Sequence, residues 1–161
     1  MVLIYISGKY DMLPDSMPTH FGPSGKPDAW SDKSIWSVYG PLIIGFVTYF
    51  SISIINIFLL IRPDDPRKAI NISERDKDLL GPVRLERIRS FAVRSLLVAN
   101  LIISAMIAHL SYAAIKTALG LSSGLGYLIW VFVMALMFVT FYMVIKLVFM
   151  TSTSHLKNKS R

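Results

Sequence analysis

The chain has 161 residues, of which 53% are hydrophobic and 17% are charged, and its mean hydropathy is +0.53. This balance excludes an ordinary soluble domain and favours a protein that lies in a bilayer. Without cysteine, the chain has no disulfide, no thiolate nucleophile and no zinc–thiolate site. The net charge is +7, but the sequence contains no signature of a nucleic-acid-binding module. We therefore expect the basic residues to face lipid headgroups and expect no nucleic-acid partner.

The first seven residues, MVLIYIS, form an apolar segment that is too short to cross a bilayer. The segment has neither the positively charged start nor the small-residue cleavage site of a signal peptide. It is therefore either a short interfacial anchor or the last turns of a first span that begins before this chain. We favour the second interpretation, which predicts a fourth, truncated span at the N-terminus.

Residues 13–34, LPDSMPTHFGPSGKPDAWSDKS, interrupt the apolar chain with proline, glycine and charge. Each of the four prolines fixes a backbone angle, which lowers the entropy cost of holding one shape. The run Gly22-Pro23-Ser24-Gly25 predicts a tight turn. A flexible spacer would be rich in Gly and Ser and would lack aromatic residues, so we predict an ordered loop.

Three later stretches lack charge and are long enough to cross about 30 Å of hydrocarbon as helices. We predict spans over residues 38–61, 95–115 and 125–145. The alternating pattern of a membrane barrel does not occur. The predicted fold class is all-α, a polytopic transmembrane helix bundle with three full spans and a short ordered extracytoplasmic loop.

The distribution of Lys and Arg predicts the orientation. Segments 8–37, 62–94, 116–124 and 146–161 contain 3, 9, 1 and 4 of these residues. Because basic loops stay in the cytoplasm, the motif loop is expected outside a multi-pass membrane protein and the C-terminus inside. The predicted organisation is an N-terminal domain over 1–61, a basic cytoplasmic loop over 62–94, a two-span hairpin over 95–145 and a basic tail over 146–161.

The basic loop carries helix start and stop signals. Ser73 with Asp76 three residues later is typical of a helix start, and Gly81-Pro82 predicts a break. Beyond the break, interleaved apolar residues and arginines predict either an amphipathic lead-in to the second span or a solvated loop that only sets topology. The arginines expected to contact lipid phosphates or a cytoplasmic partner are Arg84, Arg87, Arg89 and Arg94.

Polar residues are few within the predicted spans. Asn100, Ser104 and Ala108 follow one another at helical-turn spacing and form a small, polar stripe, which is typical of close helix packing. No acidic residue lies within any span, so the carboxylate of an ion-coupled transporter is missing. Transport by this chain alone is therefore not expected.

His20 lies among three aspartates of the loop, and two kinds of chemistry could involve it. A metal site could use His20 with Asp15, Asp28 and Asp32, but their spacing fits no known ligand motif. A hydrolase triad could use Ser24, His20 and Asp28, but a nucleophile elbow and an oxyanion loop are missing. We expect no metal, no cofactor and no catalytic residue, and assign His20 to orienting the loop or to recognition.

The same loop resembles the N-terminal domain of the SdpI-like bacterial membrane proteins, a family named after a toxin-immunity protein. In that family a span precedes a motif of the form LPD-x-x-P-x-H-F, followed by a glycine, an aspartate, an aromatic residue and a lysine. The span before the motif is the reason for favouring a truncated start here. The N…G-x-R-x-P-W pattern of the immunity protein does not occur in residues 62–161. The matching positions of this sequence are Leu13, Pro14, Asp15, Pro18, His20, Phe21, Gly25, Asp28, Trp30 and Lys33.

The resemblance implies a small, non-enzymatic protein of the bacterial cell membrane whose outer motif loop recognises a peptide or toxin in immunity or signalling. A second hypothesis is an accessory subunit of a membrane transporter or membrane enzyme, with the Asn100 stripe as its docking face. A third is a membrane metallohydrolase that uses His20. The expected partners are the lipid bilayer, together with an extracytoplasmic peptide or toxin, or a cytoplasmic or membrane protein.

Overall fold

The computed structural model of the protein describes residues 1–152, and within them the chain is mostly helical. A short helix and a two-stranded sheet come first, and four further helices follow. Residues 153–161 of the predicted basic tail lie outside the described residues. The elements are α1 (Val2–Ser7), a 3₁₀ turn (Tyr10–Met12), β1 (Ser16–Phe21), β2 (Pro27–Asp32), α2 (Ile35–Ile55) with a π-helical continuation (Asn56–Ile61), α3 (Pro66–Ala69), α4 (Glu74–Ala118) and α5 (Leu128–Thr151).

Three helical segments are long and apolar enough to cross a membrane, namely Ile35–Ile61, Glu74–Ala118 and Leu128–Thr151. Only 6%, 11% and 6% of their most apolar windows are buried within the protein, so most of their apolar side chains face the surroundings. Such faces are costly in water and are accepted by lipid. The predicted all-α, membrane-spanning fold class with three full spans is confirmed.

The observed ends of the spans differ from the predicted ones. α5 begins at Leu128 and continues through Lys146 to Thr151, rather than covering residues 125–145. A single lysine does not end the helix, because its stem remains in apolar surroundings while its ammonium reaches a polar contact. α4 begins at Glu74, so part of the basic loop and the second span form one element.

Most of the predicted ordered loop is a β-hairpin. β1 pairs antiparallel with β2, starting with Ser16 opposite Asp32. The connection is tight, because the Gly25 amide donates to the Gly22 carbonyl at 2.8 Å, which confirms the predicted turn. The strands were not predicted, because proline cannot donate to a ladder and argues against a central strand. In a two-stranded sheet both strands are edges, where proline is tolerated.

The described chain divides into two compact units. The hairpin unit contains Met1–Tyr49 and Leu101–Leu136, and so includes the sheet. The basic unit contains Phe50–Asn100 and the described residues of Met137–Arg161. Each of the three long helices contributes residues to both units, and each unit has its own buried clusters.

The core of the hairpin unit joins the hairpin to helices of the same unit. Its buried side chains are Ile6, Leu13, Met17, Val38 and Ile115. They come from α1, the segment before the sheet, β1, α2 and α4, so five parts of the chain meet at this cluster. Truncating one such buried aliphatic side chain to alanine typically costs ~2–5 kcal/mol. A second cluster, against which Phe21 of β1 packs, consists of Ala113, Leu125 and Ile129.

The hairpin turn docks on the glycine-rich turn that precedes α5. The Leu125 amide donates to the Gly25 carbonyl at 2.9 Å, and the Leu125 carbonyl lies 3.0 Å from Nε2 of His109. Since a carbonyl only accepts, Nε2 of His109 carries a hydrogen and donates it. The approach is close, because a Cβ on Gly124 would overlap the Gly25 carbonyl oxygen. Only glycine therefore fits at position 124.

We predict that Gly124→Ala destabilises the protein more than Gly120→Ala. Both glycines have positive φ, so either substitution strains the backbone, but Gly120 has open space where its Cβ would lie. Overpacking typically costs ~1–3 kcal/mol, and the extra loss at Gly124 is expected in that range. Thermal unfolding of the purified variants in detergent measures the difference, and equal losses would contradict the docking of the two turns.

The basic unit has one buried cluster of Ile70, Leu80, Leu85 and Ile88. α4 starts where the sequence predicts, because Ser73 Oγ accepts from the Asp76 amide at 3.1 Å. Gly81 has φ 71° and ψ 164°, so α4 is broken at the predicted Gly81-Pro82 position. The start and break signals of the basic loop are therefore confirmed.

Two buried asparagines hydrogen-bond across helices within the basic unit. Asn56 donates from Nδ2 to the Val93 carbonyl, and Asn100 donates from Nδ2 to Oγ of Ser53, both at 3.2 Å. Asn56 and Asn100 are 1% and 2% exposed. Side-chain hydrogen bonds between membrane helices average ~0.6 kcal/mol, so these contacts fix the register of α2 on α4 more than they add stability.

An ion-pair network lies at the start of α4. Arg67 contacts Glu74 at 2.7 Å and Asp78 at 2.8 Å, and Lys77 contacts Glu74 at 2.8 Å. Hydrogen bonds from Arg67 and then Lys77 hold the pKa of Glu74 below its ordinary value. Because the pKa of Glu74 is lower in the folded state, its carboxylate stabilises the folded protein at pH values above the ordinary pKa of a glutamate. This contribution is lost as the pH falls through the folded-state pKa of Glu74.

Arg67→Gln is expected to raise the pKa of Glu74 towards its ordinary value, because the strongest hydrogen-bond partner of the carboxylate loses its charge. Lys68→Gln removes the same charge from an exposed neighbour and should leave the pKa of Glu74 unchanged. The chain contains two glutamates, so NMR titration of glutamate-labelled protein gives two carboxyl signals. A Glu74 pKa that is the same in wild type and Arg67→Gln would contradict the network.

Candidate functional site

One exposed hydrogen-bonded pair of titratable side chains lies on the hairpin. Nδ1 of His20 in β1 and Oδ1 of Asp28 in β2 are 2.5 Å apart, and the two side chains are 69% and 50% exposed. The strand register places His20 opposite Ala29, which is next to Asp28. Gly22 leaves room for the carboxylate, since a Cβ there would come within 2.8 Å of Oδ2 of Asp28. The hairpin thus forms the pair and leaves it open to solvent.

A groove of about 380 Å³ lies beside this pair within the hairpin unit. β1, the first turns of α2, α4 and Leu125 line it, and most of the lining side chains are apolar. Two polar members of the lining use their hydroxyls locally, since Ser111 donates to the Ile107 carbonyl and Ser37 donates to the Asp32 carbonyl. His20 therefore belongs both to the lining of a largely apolar groove and to the exposed His20–Asp28 pair.

The arrangement offers two different kinds of contact. The Asp28 carboxylate accepts hydrogen bonds and attracts cations, and the His20 ring retains Nε2 as a second hydrogen-bonding atom. Asp28 also fixes the orientation of the His20 ring. The groove accepts an apolar group directly beside these atoms. A ligand that combines an apolar side chain with a cation or hydrogen-bond donor matches both parts.

The described residues give no further support to metal or triad chemistry. Within residues 1–152 there is no group of three or more His, Asp or Glu side chains placed to hold a metal ion. Ser24 lies at the hairpin turn, where its Oγ accepts from the Lys26 amide at 3.4 Å. No hydrogen bond joins Ser24 to His20 in this part of the chain, so Ser24, His20 and Asp28 do not form a triad here.

Several of the motif residues hold the hairpin unit together. Leu13 and Pro18 are buried. Phe21 packs against the cluster around Ala113. Gly25 is buried, and its carbonyl accepts the hydrogen bond that docks the turn. Pro18 and Phe21 also line the groove, whereas Leu13 and Gly25 do not belong to its lining.

Lys33 also helps to hold the hairpin unit together, at the end of the hairpin. Its Nζ donates to the Leu13 carbonyl at 3.1 Å and lies 4.8 Å from the centre of the Tyr10 ring. Its amide donates to the Asp15 carbonyl at 2.7 Å, which extends the pairing beyond the strands. The motif residues whose side chains remain exposed are Pro14, Asp15, His20, Asp28 and Trp30.

Lys33→Met is expected to lower the free energy of unfolding by ~1–2 kcal/mol. The change keeps the apolar stem but removes the hydrogen bond to the Leu13 carbonyl and the cation–π contact with Tyr10. Lys26→Met at the exposed hairpin turn is the matched control and should change stability by less than ~0.5 kcal/mol. Thermal unfolding followed by tryptophan fluorescence distinguishes the two, and equal effects would contradict the structural place of Lys33.

The residues of the predicted packing stripe have different surroundings. Asn100 is buried in the basic unit and hydrogen-bonds Ser53 of the same chain. Ser104 and Ala108 belong to the hairpin unit and are half-buried. The stripe as a helix-packing or docking surface stays a prediction.

Two of the four arginines predicted to contact lipid line one cavity with Glu86 in the basic unit. Arg89 pairs with Glu86 at 2.7 Å and donates to the Pro63 carbonyl at 2.5 Å. Arg94 lines a cavity together with both Glu86 and Arg89. Acidic and carbonyl oxygens thus already surround Arg89.

The other two arginines lie together in the structure. Arg84 and Arg87 line one cavity, and α5 contributes Lys146 to the same cavity. The sequence alone does not associate Lys146 with the arginines, because the three residues meet only when α4 and α5 pack within the basic unit. The one signal available was that Lys146 is the single charge of α5.

Residues 1–46 match the protein family described as "Domain of unknown function (DUF1648)". This segment contains α1, the hairpin and the first turns of α2, and therefore all of the motif residues and the His20–Asp28 pair. No curated protein and no solved structure matches the chain. The hairpin and the His20–Asp28 pair thus lie in a segment that matches a family domain.

Proposed function

We propose that this chain is a small, non-enzymatic membrane protein of the SdpI-like type, and that its hairpin recognises a membrane-active peptide in immunity or signalling. The observation that carries the proposal is the exposed His20–Asp28 pair beside a largely apolar groove of about 380 Å³. The family match over residues 1–46 supports a domain centred on this hairpin. The resemblance of the motif to the SdpI-like proteins supplies the role in immunity or signalling.

The chemistry of the groove favours an amphipathic, cationic peptide. Membrane-active peptides combine large apolar side chains with Lys and Arg on one polar face. An apolar side chain in the groove gains about 25 cal/mol for each Å² removed from water. A peptide cation at the Asp28 carboxylate adds a charge-assisted hydrogen bond of ~1.5–3 kcal/mol. The two contacts together select for a ligand that has both groups at the right separation.

The hairpin is prepared for binding before a ligand arrives. The Lys33 ammonium donates to the Leu13 carbonyl and so holds the end of the hairpin. The Leu125 amide donates to the Gly25 carbonyl and so holds the hairpin turn. Ordering a loop during association lowers affinity, whereas a surface that is already ordered avoids that cost. A fixed hairpin therefore suits recognition better than a flexible spacer would.

The proposed orientation places the hairpin on the outer side of a bacterial cell membrane. The counts of 3, 9, 1 and 4 Lys and Arg in successive segments support this orientation through the positive-inside rule. A peptide that approaches the cell from outside would then meet the hairpin before it reaches the hydrocarbon. The basic loop over residues 62–94 would lie on the cytoplasmic side.

Expression of the full chain in a bacterium sensitive to cationic membrane-active peptides tests the proposal. The wild-type protein is expected to raise the peptide concentration that halves survival. Asp28→Asn and His20→Ala should each lower the protective effect about tenfold, because each removes one member of the His20–Asp28 pair. Ala114→Leu adds a larger side chain to the part of the groove lined by α4 and should also lower the protective effect.

Asp32→Asn is the matched control, because it removes the same charge from the same strand without touching the pair. It should protect as well as the wild type, with equal amounts of each variant in the membrane fraction. If expression of the wild-type chain leaves survival unchanged, this result contradicts a role in immunity. An equal loss of protection in Asp28→Asn and Asp32→Asn would contradict recognition by the His20–Asp28 pair.

A further inference from the structure

A second cavity, of about 530 Å³, lies within the basic unit. The described residues that line it are Arg84, Arg87, Lys146, Phe149 and Met150. Three of these side chains are cationic, two are apolar, and none of the five is acidic. The cavity therefore combines positive charge with an apolar wall.

Helical spacing explains how the cavity forms. Arg84 and Arg87 are three residues apart and lie on one side of α4, and Lys146, Phe149 and Met150 share one side of α5. Arg84 fixes this arrangement, because its Nε donates to the Met150 carbonyl at 3.1 Å and its Nη2 to the Ser152 carbonyl at 3.4 Å. These bonds satisfy carbonyls at the C-terminal end of α5, which carry partial negative charge.

Lys146 is held in place but keeps donors for a ligand. Its Nζ donates to the Tyr142 hydroxyl at 2.8 Å and lies 4.7 Å from the centre of the Phe91 ring. An ammonium group has three hydrogens, so two remain after the bond to Tyr142. A charge on a helix that can cross a membrane is costly unless it reaches an anion or water.

Arg87 is the second available cation. It is exposed, and within residues 1–152 it forms no ion pair. The nearby carboxylate of Glu86 contacts Arg89 at 2.7 Å instead. The guanidinium of Arg87 therefore retains the planar donor pattern that binds phosphate oxygens in pairs.

We propose that this cavity binds the headgroup phosphate of an anionic phospholipid, with Arg87 and Lys146 as its ligands. Two cations without an acidic neighbour in the lining suit a phosphodiester that carries net negative charge. Phe149 is 72% exposed on a helix able to cross a membrane, and its apolar ring suits contact with acyl chains. These apolar contacts favour a lipid over free phosphate as the source of the anion.

Native mass spectrometry of the purified full chain in detergent tests this site with defined lipids. The probes are phosphatidylglycerol, phosphatidylcholine and inorganic phosphate. The wild type is expected to retain phosphatidylglycerol in preference to phosphatidylcholine, and millimolar inorganic phosphate should not displace it. Arg87→Gln and Lys146→Gln should each weaken retention about fivefold, as expected for one basic residue at an anionic lipid.

Two variants separate a defined site from general basicity and from misfolding. Arg75→Gln removes an exposed charge of the same unit outside the cavity and should retain the lipid. Arg87→Lys keeps the charge and should retain most of the binding. Equal losses in Arg75→Gln and Arg87→Gln, equal retention of the two lipids, or displacement by inorganic phosphate would each overturn the proposal.

Discussion

The backbone hydrogen bond from Leu125 to Gly25 is the contact on which the rest of the hairpin unit depends. It joins a turn of the sheet to the turn that precedes α5, and Gly124 lets the two backbones approach. Leu125 also lines the groove, so the groove exists in this form only while the hairpin is held there. A buried amide that loses its partner typically costs ~1–3 kcal/mol, so this bond favours the docked position of the hairpin.

The motif divides between residues that build the hairpin and residues that are open to a ligand. Leu13, Gly25 and Lys33 are tied to their own chain, whereas His20 and Asp28 face solvent. A motif of this kind indicates a shared hairpin structure rather than a shared ligand. Under the proposed function, differences in ligand among proteins that share the scaffold would come from the apolar lining of the groove, which extends into α2 and α4 beyond the motif.

The parts of the structure that were predicted from the sequence depend on local chemistry. Hydropathy over about 20 residues is enough to find a span, and the Ser73 cap and the Gly81-Pro82 break act within a few residues of themselves. The hairpin was missed because its pairing is not local: prolines that argue against strands are tolerated on its two edges. The groove and the partnership of Lys146 with Arg84 and Arg87 were missed because they depend on how separate helices pack.

The two histidines within residues 1–152 serve different parts of the hairpin unit. His109 donates through Nε2 to the Leu125 carbonyl, while the amide of Leu125 donates to the Gly25 carbonyl in the hairpin turn. The backbone donor and the backbone acceptor of Leu125 are thus both used where the hairpin is attached. His20 lies at the surface against the Asp28 carboxylate, away from these bonds. The exposed residues of the hairpin can therefore be exchanged without removing a hydrogen bond that holds its turn in place.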